Sequence, residues 1–297
     1  MSLVSFAKIK NNSLKTAIFE ALSLIDYEFR KDVKKIVIKP NMCYYWDYST
    51  GQTTDPKFTG ALIEVLRDNF SSDVDISIVE SDASAMKCKY AFKFLGYEKL
   101  AQNYDVKLVN LSEEKCDDVV VTVGNQSFRL MVPRSIRDAD LKINLPKIKY
   151  TFERINLTCA LKNVFGCNPY PKKFKYHSEI EGAIVALNKA MNFDLCIIDG
   201  NIVSGAKPCR IGLVMASKDP VAIDAAAAKI AGIRPTTIKY LLLAAKEDLG
   251  HINFIQKGIP LDYFKARYPR KGIRQKLMRK AYGLVVTMGL SKKLGLA

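Results

Sequence analysis

Residues 34–80, KKIVIKPNMCYYWDYSTGQTTDPKFTGALIEVLRDNFSSDVDISIVE, decide the fold class. The stretch opens on a β-branched run, 34–40, closed by a proline that has no N–H for a strand ladder, as a buried strand ends. Residues 55–70 then place Phe58, Leu62, Ile63, Val65 and Leu66 near helical spacing, behind Asp55 as N-cap and Pro56 in the first turn. DISIVES, 75–81, is a second strand. Strand, helix and strand in this order predict parallel pairing through a right-handed crossover.

The rhythm continues on both sides of one interruption. Residues 90–104 read as a helix broken or ended near Gly96, and 106–111 as a third strand. Residues 117–133, DDVVVTVGNQSFRLMVP, are two β-rich runs around Gly124-Asn125-Gln126, an antiparallel hairpin or ribbon. Residues 154–165 then read as a helix with Leu157, Ala160, Leu161 and Val164 as its stripe. A second helix over 178–192 has Ser178 as N-cap and Glu181 at capping-box spacing. Strand runs at 194–200 and 211–217 lead to a helix over 219–232, capped by Asp219 and stopped by Gly232, and to another ending at Gly250. The expected fold is α/β, a mainly parallel sheet flanked by helices with an antiparallel hairpin inserted near 117–133.

The 297 residues, 48% of them hydrophobic, suffice for a large core and exclude a disordered chain. The net charge of +16 is uneven. Residues 262–297 hold ten Lys or Arg against Asp262 alone, so they carry +9, and 1–261 carry the remaining +7. The expected organisation is an α/β body, in one or two lobes, over 1–261 and a basic tail over 262–297. Ile273, Leu277, Ala281, Leu284 and Met288 give that tail an amphipathic helical stripe, suited to nucleic acid, an anionic membrane surface, a partner or docking on the body. Lys8, Lys10 and Lys15 interrupt any signal-like run, and no stretch reaches the roughly 20 apolar residues of a membrane span. Seven widely spaced cysteines without C-x-x-C fit reduced thiols and supply no ferredoxin-type or zinc spacing. A soluble, cytoplasmic protein is expected.

Chemistry-bearing residues gather where strands end. Lys39 and Asn41 follow the first strand of the opening stretch, where open α/β sheets bind ligands; they either hold an anion or cap and turn the chain. Glu80 and Asp82 occupy the same place on the next strand, as solvated loop acids or as groups converging on a hydroxyl or metal. Residues 145–167 carry Lys147, Lys149, Arg154 and Lys162 against Glu153 alone. Solvent accounts for Lys149 and Arg154, whereas Lys147 follows a Leu-Pro break and Lys162-Asn163 precede the exit at Gly166. His177 closes a cation-rich loop, and cationic surroundings would favour its neutral, basic form. Asp199 and Lys207 lie in a glycine-rich loop that matches neither dinucleotide nor phosphate-loop spacing. Asp224, in the first turns of its helix, complements the macrodipole and needs no other role.

The strings IVIKPN, TDP, LPKIK, ALKNVFG and SKDPVAIDAAAAKIAG, in this order over about 36–250, resemble a family of uncharacterised proteins, a domain of unknown function often associated with iron–sulfur proteins and fused to ferredoxin-like modules. The resemblance implies shared positions at Lys39, Asn41, Lys147, Lys162, Asn163, Gly166, His177, Asp199, Asp219 and Asp224. It also implies a separate iron–sulfur partner, since no ferredoxin module is present here. The expected catalytic set is His177, Lys162 and Asp199; the expected ligand-binding set is Lys39, Asn41, Asp82, Lys147, Asn163 and Lys207. The expected partner is an anionic small molecule bearing phosphate or carboxylate; no metal site and no cofactor is assigned.

Overall fold

The computed structural model describes residues 1–42, 44–71, 73–151 and 155–269, with the side chains of Phe174 and His177 outside that description. The amphipathic stripe at 273–288 lies outside the described residues as well. The chain opens with two elements not anticipated above, β1 (Ser2–Lys8) and α1 (Leu14–Ser23), the latter capped by Ser13. The opening stretch forms β2 (Lys35–Pro40), α2 (Pro56–Asn69) and β3 (Asp75–Glu80), with the Asp55 carboxylate accepting from the Lys57 amide as N-cap. Gly96, at φ +82°, separates α3 (Cys88–Phe94) from α4 (Tyr97–Tyr104), and β4 (Lys107–Asn110) follows. The hairpin is β5 (Cys116–Val123) and β6 (Gln126–Pro133), a separate two-stranded sheet.

After α5 (Arg134–Arg137) the chain re-enters the main sheet as β7 (Leu141–Leu145). The helix expected over 154–165 is shorter. Asn156 takes a left-handed φ of +68°, which no helix continues through, and the short strands β8 (Lys149–Tyr150) and β9 (Leu157–Thr158) pair before α6 (Ala160–Val164) begins. Ser178 is not an N-cap: a 3-10 segment, Lys173–Glu179, runs directly into α7 (Ile180–Met191), so no residue there presents a free helical start. The rest is β10 (Leu195–Val203), β11 (Cys209–Ser217), α8 (Pro220–Ile230), α9 (Lys239–Lys246), β12 (Phe254–Gly258) and α10 (Leu261–Lys265). α9 stops short of Gly250 because Asp248 turns left-handed, at φ +59°.

Among the described residues, eight strands form one sheet in the order β12-β1-β11-β10-β7-β2-β3-β4. β11 alone runs against its neighbours; the other strands share one direction. Alternation splits each strand between two cores. Val37, Val79, Ile198 and Met215 face the layer of α6 to α10, whereas Ile38, Ile78, Ile197 and Val214 face α1 to α4. Both faces are covered, which is why these strands are continuous apolar runs rather than alternating ones. The alanines 225–228 are wholly buried, letting α8 lie close against α6 and the sheet. Phe264 and Tyr268, beyond the boundary expected at 261, are buried against this same layer, and the Tyr268 hydroxyl donates to the Ile148 carbonyl.

Candidate functional site

The strand order reverses between β2 and β7: from β2 the chain proceeds outward to β3 and β4, then returns on the other side to β7 and β10. Ligands of open α/β sheets bind outside the carboxyl ends of strands at such a reversal. Four lysines, two paired carboxylates and three asparagines meet at this edge, nearly all withdrawn from solvent.

Lys39, at the end of β2, donates to Glu80 Oε2 at 2.8 Å and to the Pro40 carbonyl at 2.7 Å. Both members of the pair are buried. Gly166 closes over them: a Cβ there would stand 2.9 Å from Lys39 Nζ, so a side chain would press on the pair. Lys147, two residues beyond β7, is matched by Asp199 at 3.0 Å and also donates to the Ile202 carbonyl. Asp199 accepts from the Asp55 and Asn201 amides, which fixes the start of α2 against β10. Burial pushes the Lys147 ammonium below the usual lysine range, with Asp199 opposing the shift. Burial raises the Asp55 carboxyl to about 6; the Lys57 amide opposes this and the Asp199 charge adds to it.

An amide chain joins these pairs. Asn41 Nδ2 donates to Asn163 Oδ1, and Asn163 Nδ2 donates to the Lys39 carbonyl and to Asn144 Oδ1. Asn144 in turn donates to the Ala160 carbonyl. α6 itself starts only because Asp224 reaches across from α8: its carboxylate accepts from the Ala160 and Leu161 amides and from Tyr240. Thus Asp224 does more than complement its own helix; burial raises its carboxyl to about 7 despite these donors.

Two lysines differ from the paired ones. Lys149, read above as solvated, is only 7% exposed; its ammonium donates to Asn41 Oδ1 at 2.7 Å and to the Gln52 carbonyl at 3.0 Å. Lys173, 9% exposed, donates to Ser81 Oγ at 2.6 Å. Neither is in ion-pair contact with a carboxylate among the described residues. Burial lowers Lys173 to about 8, the Glu80 charge opposes this, and the Lys39 charge adds to it. Lys173 can therefore exchange a proton near neutral pH, beside a serine hydroxyl that donates to the Gly166 carbonyl. The adjoining segments hold two buried polar atoms with no hydrogen-bond partner among the described residues, Thr53 Oγ1, next to Gln52, and Asn168 Nδ2, two residues beyond Gly166.

Of the residues selected from sequence, Lys39, Asn41, Lys147, Asn163 and Asp199 converge here. Asp82 turns away: it accepts from the Cys88 amide and from Lys87, at the head of α3. Burial pushes its carboxyl up, but these donors outweigh it and hold the carboxyl below the usual range. Lys162 is half-buried, with Nζ 4.5 Å from the Phe165 ring centre, and its charge reaches Lys173. Lys207 is exposed on the turn between β10 and β11, apart from the buried network. The His177 backbone belongs to the 3-10 segment that carries Lys173, and its side chain is among those not described. Sequence reasoning passed over Lys149 and Lys173. The one signal for Lys149 was its i, i+2 spacing from Lys147 behind Pro146, which extended backbone turns to one side. The described cysteines are unbonded, and no group of three His, Cys, Asp or Glu able to hold a metal occurs among the described residues.

A doubly wound α/β body with a buried cationic edge at its strand reversal is the class that fold and site define. The chain belongs to the domain of unknown function DUF362, whose family model matches residues 36–229. It is 32% identical over 168 residues to a thylakoid-associated protein of Synechocystis sp., a match covering 52% of this chain and 50% of that protein. The chain thus spans about half the length of the curated relative it matches. Among solved structures it resembles a lactate racemase apoprotein from Thermoanaerobacterium thermosaccharolyticum, with a TM-score of 0.48 and 12% identity over 78% of this chain and 58% of that one. No helix among the described residues is long and apolar enough to cross a membrane.

Proposed function

We propose that the carboxyl edge between β2 and β7 binds a small anionic molecule bearing phosphate or carboxylate, as the site of an enzyme or of a binder descended from one. The observation that carries this reading is the pair of buried ammonium groups, Lys149 and Lys173, held by neutral acceptors alone among the described residues. Lys149 has no carboxylate in contact among the described residues and Lys173 shares the Glu80 charge with Lys39, so cations are in excess here; a buried cation without a full counter-charge costs several kcal/mol, and a bound anion offsets that cost. Lys39 and Lys147, each matched by its own carboxylate, supply no such vacancy of charge; they build the frame around the other two. Thr53 Oγ1 and Asn168 Nδ2, on the segments that carry Gln52 and Gly166, are buried polar atoms with hydrogen-bonding capacity unused among the described residues.

The test is equilibrium binding of inorganic phosphate and of small carboxylates to the full chain. Lys149→Met and Lys173→Met are each expected to weaken binding about ten- to a hundredfold, the worth of one charge-assisted hydrogen bond of about 1.5–3 kcal/mol. Because Lys173 must be protonated to attract an anion, affinity is expected to fall as pH rises through about 8, and this dependence to vanish in Lys173→Met. Binding unchanged in both variants would sink the proposal. The rival reading is attachment to nucleic acid or an anionic membrane surface through 262–297, supported by the charge of that segment and by the thylakoid association of the relative. Under it, removing 270–297 abolishes anion binding; under the present proposal the phosphate site survives the truncation.

A further inference from the structure

The loop that leaves the site carries an aromatic surface that the buried network does not use. Beyond Asn41 the chain presents Tyr44, Tyr45 and Trp46, and α3 presents Tyr90 and Phe94 beside them; all are exposed, Phe94 by 63% and Trp46 by 50%. The Tyr45 and Phe94 rings meet edge-on at 5.7 Å, Phe94 stacks on Tyr90 at 5.9 Å, and the Lys87 amide donates to the Tyr45 hydroxyl, so loop and helix form one surface. Lys87, Lys89 and Lys93 rim it, with Lys89 Nζ 4.9 Å from the Tyr90 ring centre. Asp82 faces Lys87 inward, and Asp47, the exposed acid next to Trp46, accepts from the Ser49 amide.

We infer that this patch is a docking surface for an anionic lipid interface. Large apolar rings on a soluble fold expose costly area unless something covers them. Tyr and Trp join an apolar ring to a polar tip, and with phenylalanine at the centre and lysines at the rim they match the layered chemistry of lipid headgroups above acyl chains. Lys89 and Lys93 complement anionic headgroups, Lys87 being paired with Asp82, and the surplus of +16 on the chain adds attraction at longer range. Single-stranded nucleic acid is served less well, because base stacking needs free ring faces and Tyr90 and Phe94 already cover one face of each other. The surface begins three residues after Asn41, so a docked molecule holds the β2 edge next to the interface. The inference does not depend on the anion reading above.

Trp46 is the single tryptophan of the chain and reports on this surface alone. The full chain is mixed with phosphatidylcholine vesicles with and without phosphatidylglycerol. With the anionic vesicles, Trp46 emission is expected to shift to the blue and to be quenched by lipids brominated on the acyl chain. Lys89→Glu with Lys93→Glu is expected to weaken vesicle binding by at least about tenfold, given roughly 1 kcal/mol for each basic residue near the surface. Phe94→Ser is expected to reduce the brominated-lipid quenching; all three positions are exposed, so the fold is retained. Vesicle binding with no change in Trp46 emission, binding unaltered by these substitutions, or a Trp46 response to single-stranded oligonucleotide and not to vesicles would each overturn the inference.

Discussion

Lys147→Met is expected to lower the free energy of unfolding by about 3–5 kcal/mol, because it leaves the Asp199 carboxylate buried without its counter-ion. Asp199 is fully buried and, among the described residues, retains the Asp55 and Asn201 amides as its donors. The double variant Lys147→Met, Asp199→Asn removes both charges but leaves an acceptor for one of the two amides, which bond different carboxylate oxygens, so it is expected to recover part of the loss. Urea denaturation of wild type, both single variants and the double completes the cycle. An exposed pair, Lys15 with Asp68, is the control: Lys15→Met is expected to produce no measurable change. If Lys147→Met behaves like Lys15→Met, water reaches the pair and the dry edge described here does not exist.

Asp224→Ala is expected to be comparably severe, at about 3–5 kcal/mol, since it strands the Ala160 and Leu161 amides in the core at about 1–3 kcal/mol each and removes a partner of Tyr240. The damage extends to the site because α6 carries Asn163, the amide that ties Asn41 to Asn144. Phosphate affinity is therefore expected to fall together with stability, although Asp224 touches no ligand. The pH dependence separates this role from a generic core defect. The folded carboxyl is raised from 3.8 to about 7, so the native state holds its proton where the unfolded chain has lost it. Its contribution to stability is full below about pH 4 and is lost as pH rises through about 7. In Asp224→Asn that slope is expected to disappear while one acceptor remains; an unchanged slope would remove Asp224 as its source.

The candidate site divides along the same physical line. Lys39 and Asn41 were legible because a strand ending in proline projects its last residues past the sheet edge, and Lys147 because it follows a Leu-Pro break. Asp224 was legible as an acid on a helix but not as the cap of another helix, since its partners lie 63 and 64 residues away in sequence. Asp82 resembled Glu80 in spacing yet faces α3, because the chain turns immediately after β3 and the free amide of Cys88 takes its carboxylate. Lys149 and Lys173 sit in charge-rich segments that any sequence reading assigns to solvent; folding buries them by bringing Asn41 and Gln52 to one and Ser81 to the other.

By itself the sequence determined the α/β class, the parallel order through β2, β3 and β4, the inserted hairpin and the capped starts of α2 and α8, because periodicity, proline and capping act over a few residues. It left β1, α1 and β12 unannounced, as their assignment depends on the sheet they complete. Only the tertiary structure decided which lysines are paired with a carboxylate and which are buried against neutral acceptors. Desolvation and ion pairing depend on neighbours in space, and the carboxylates that answer Lys39 and Lys147 come from 41 and 52 residues farther along the chain.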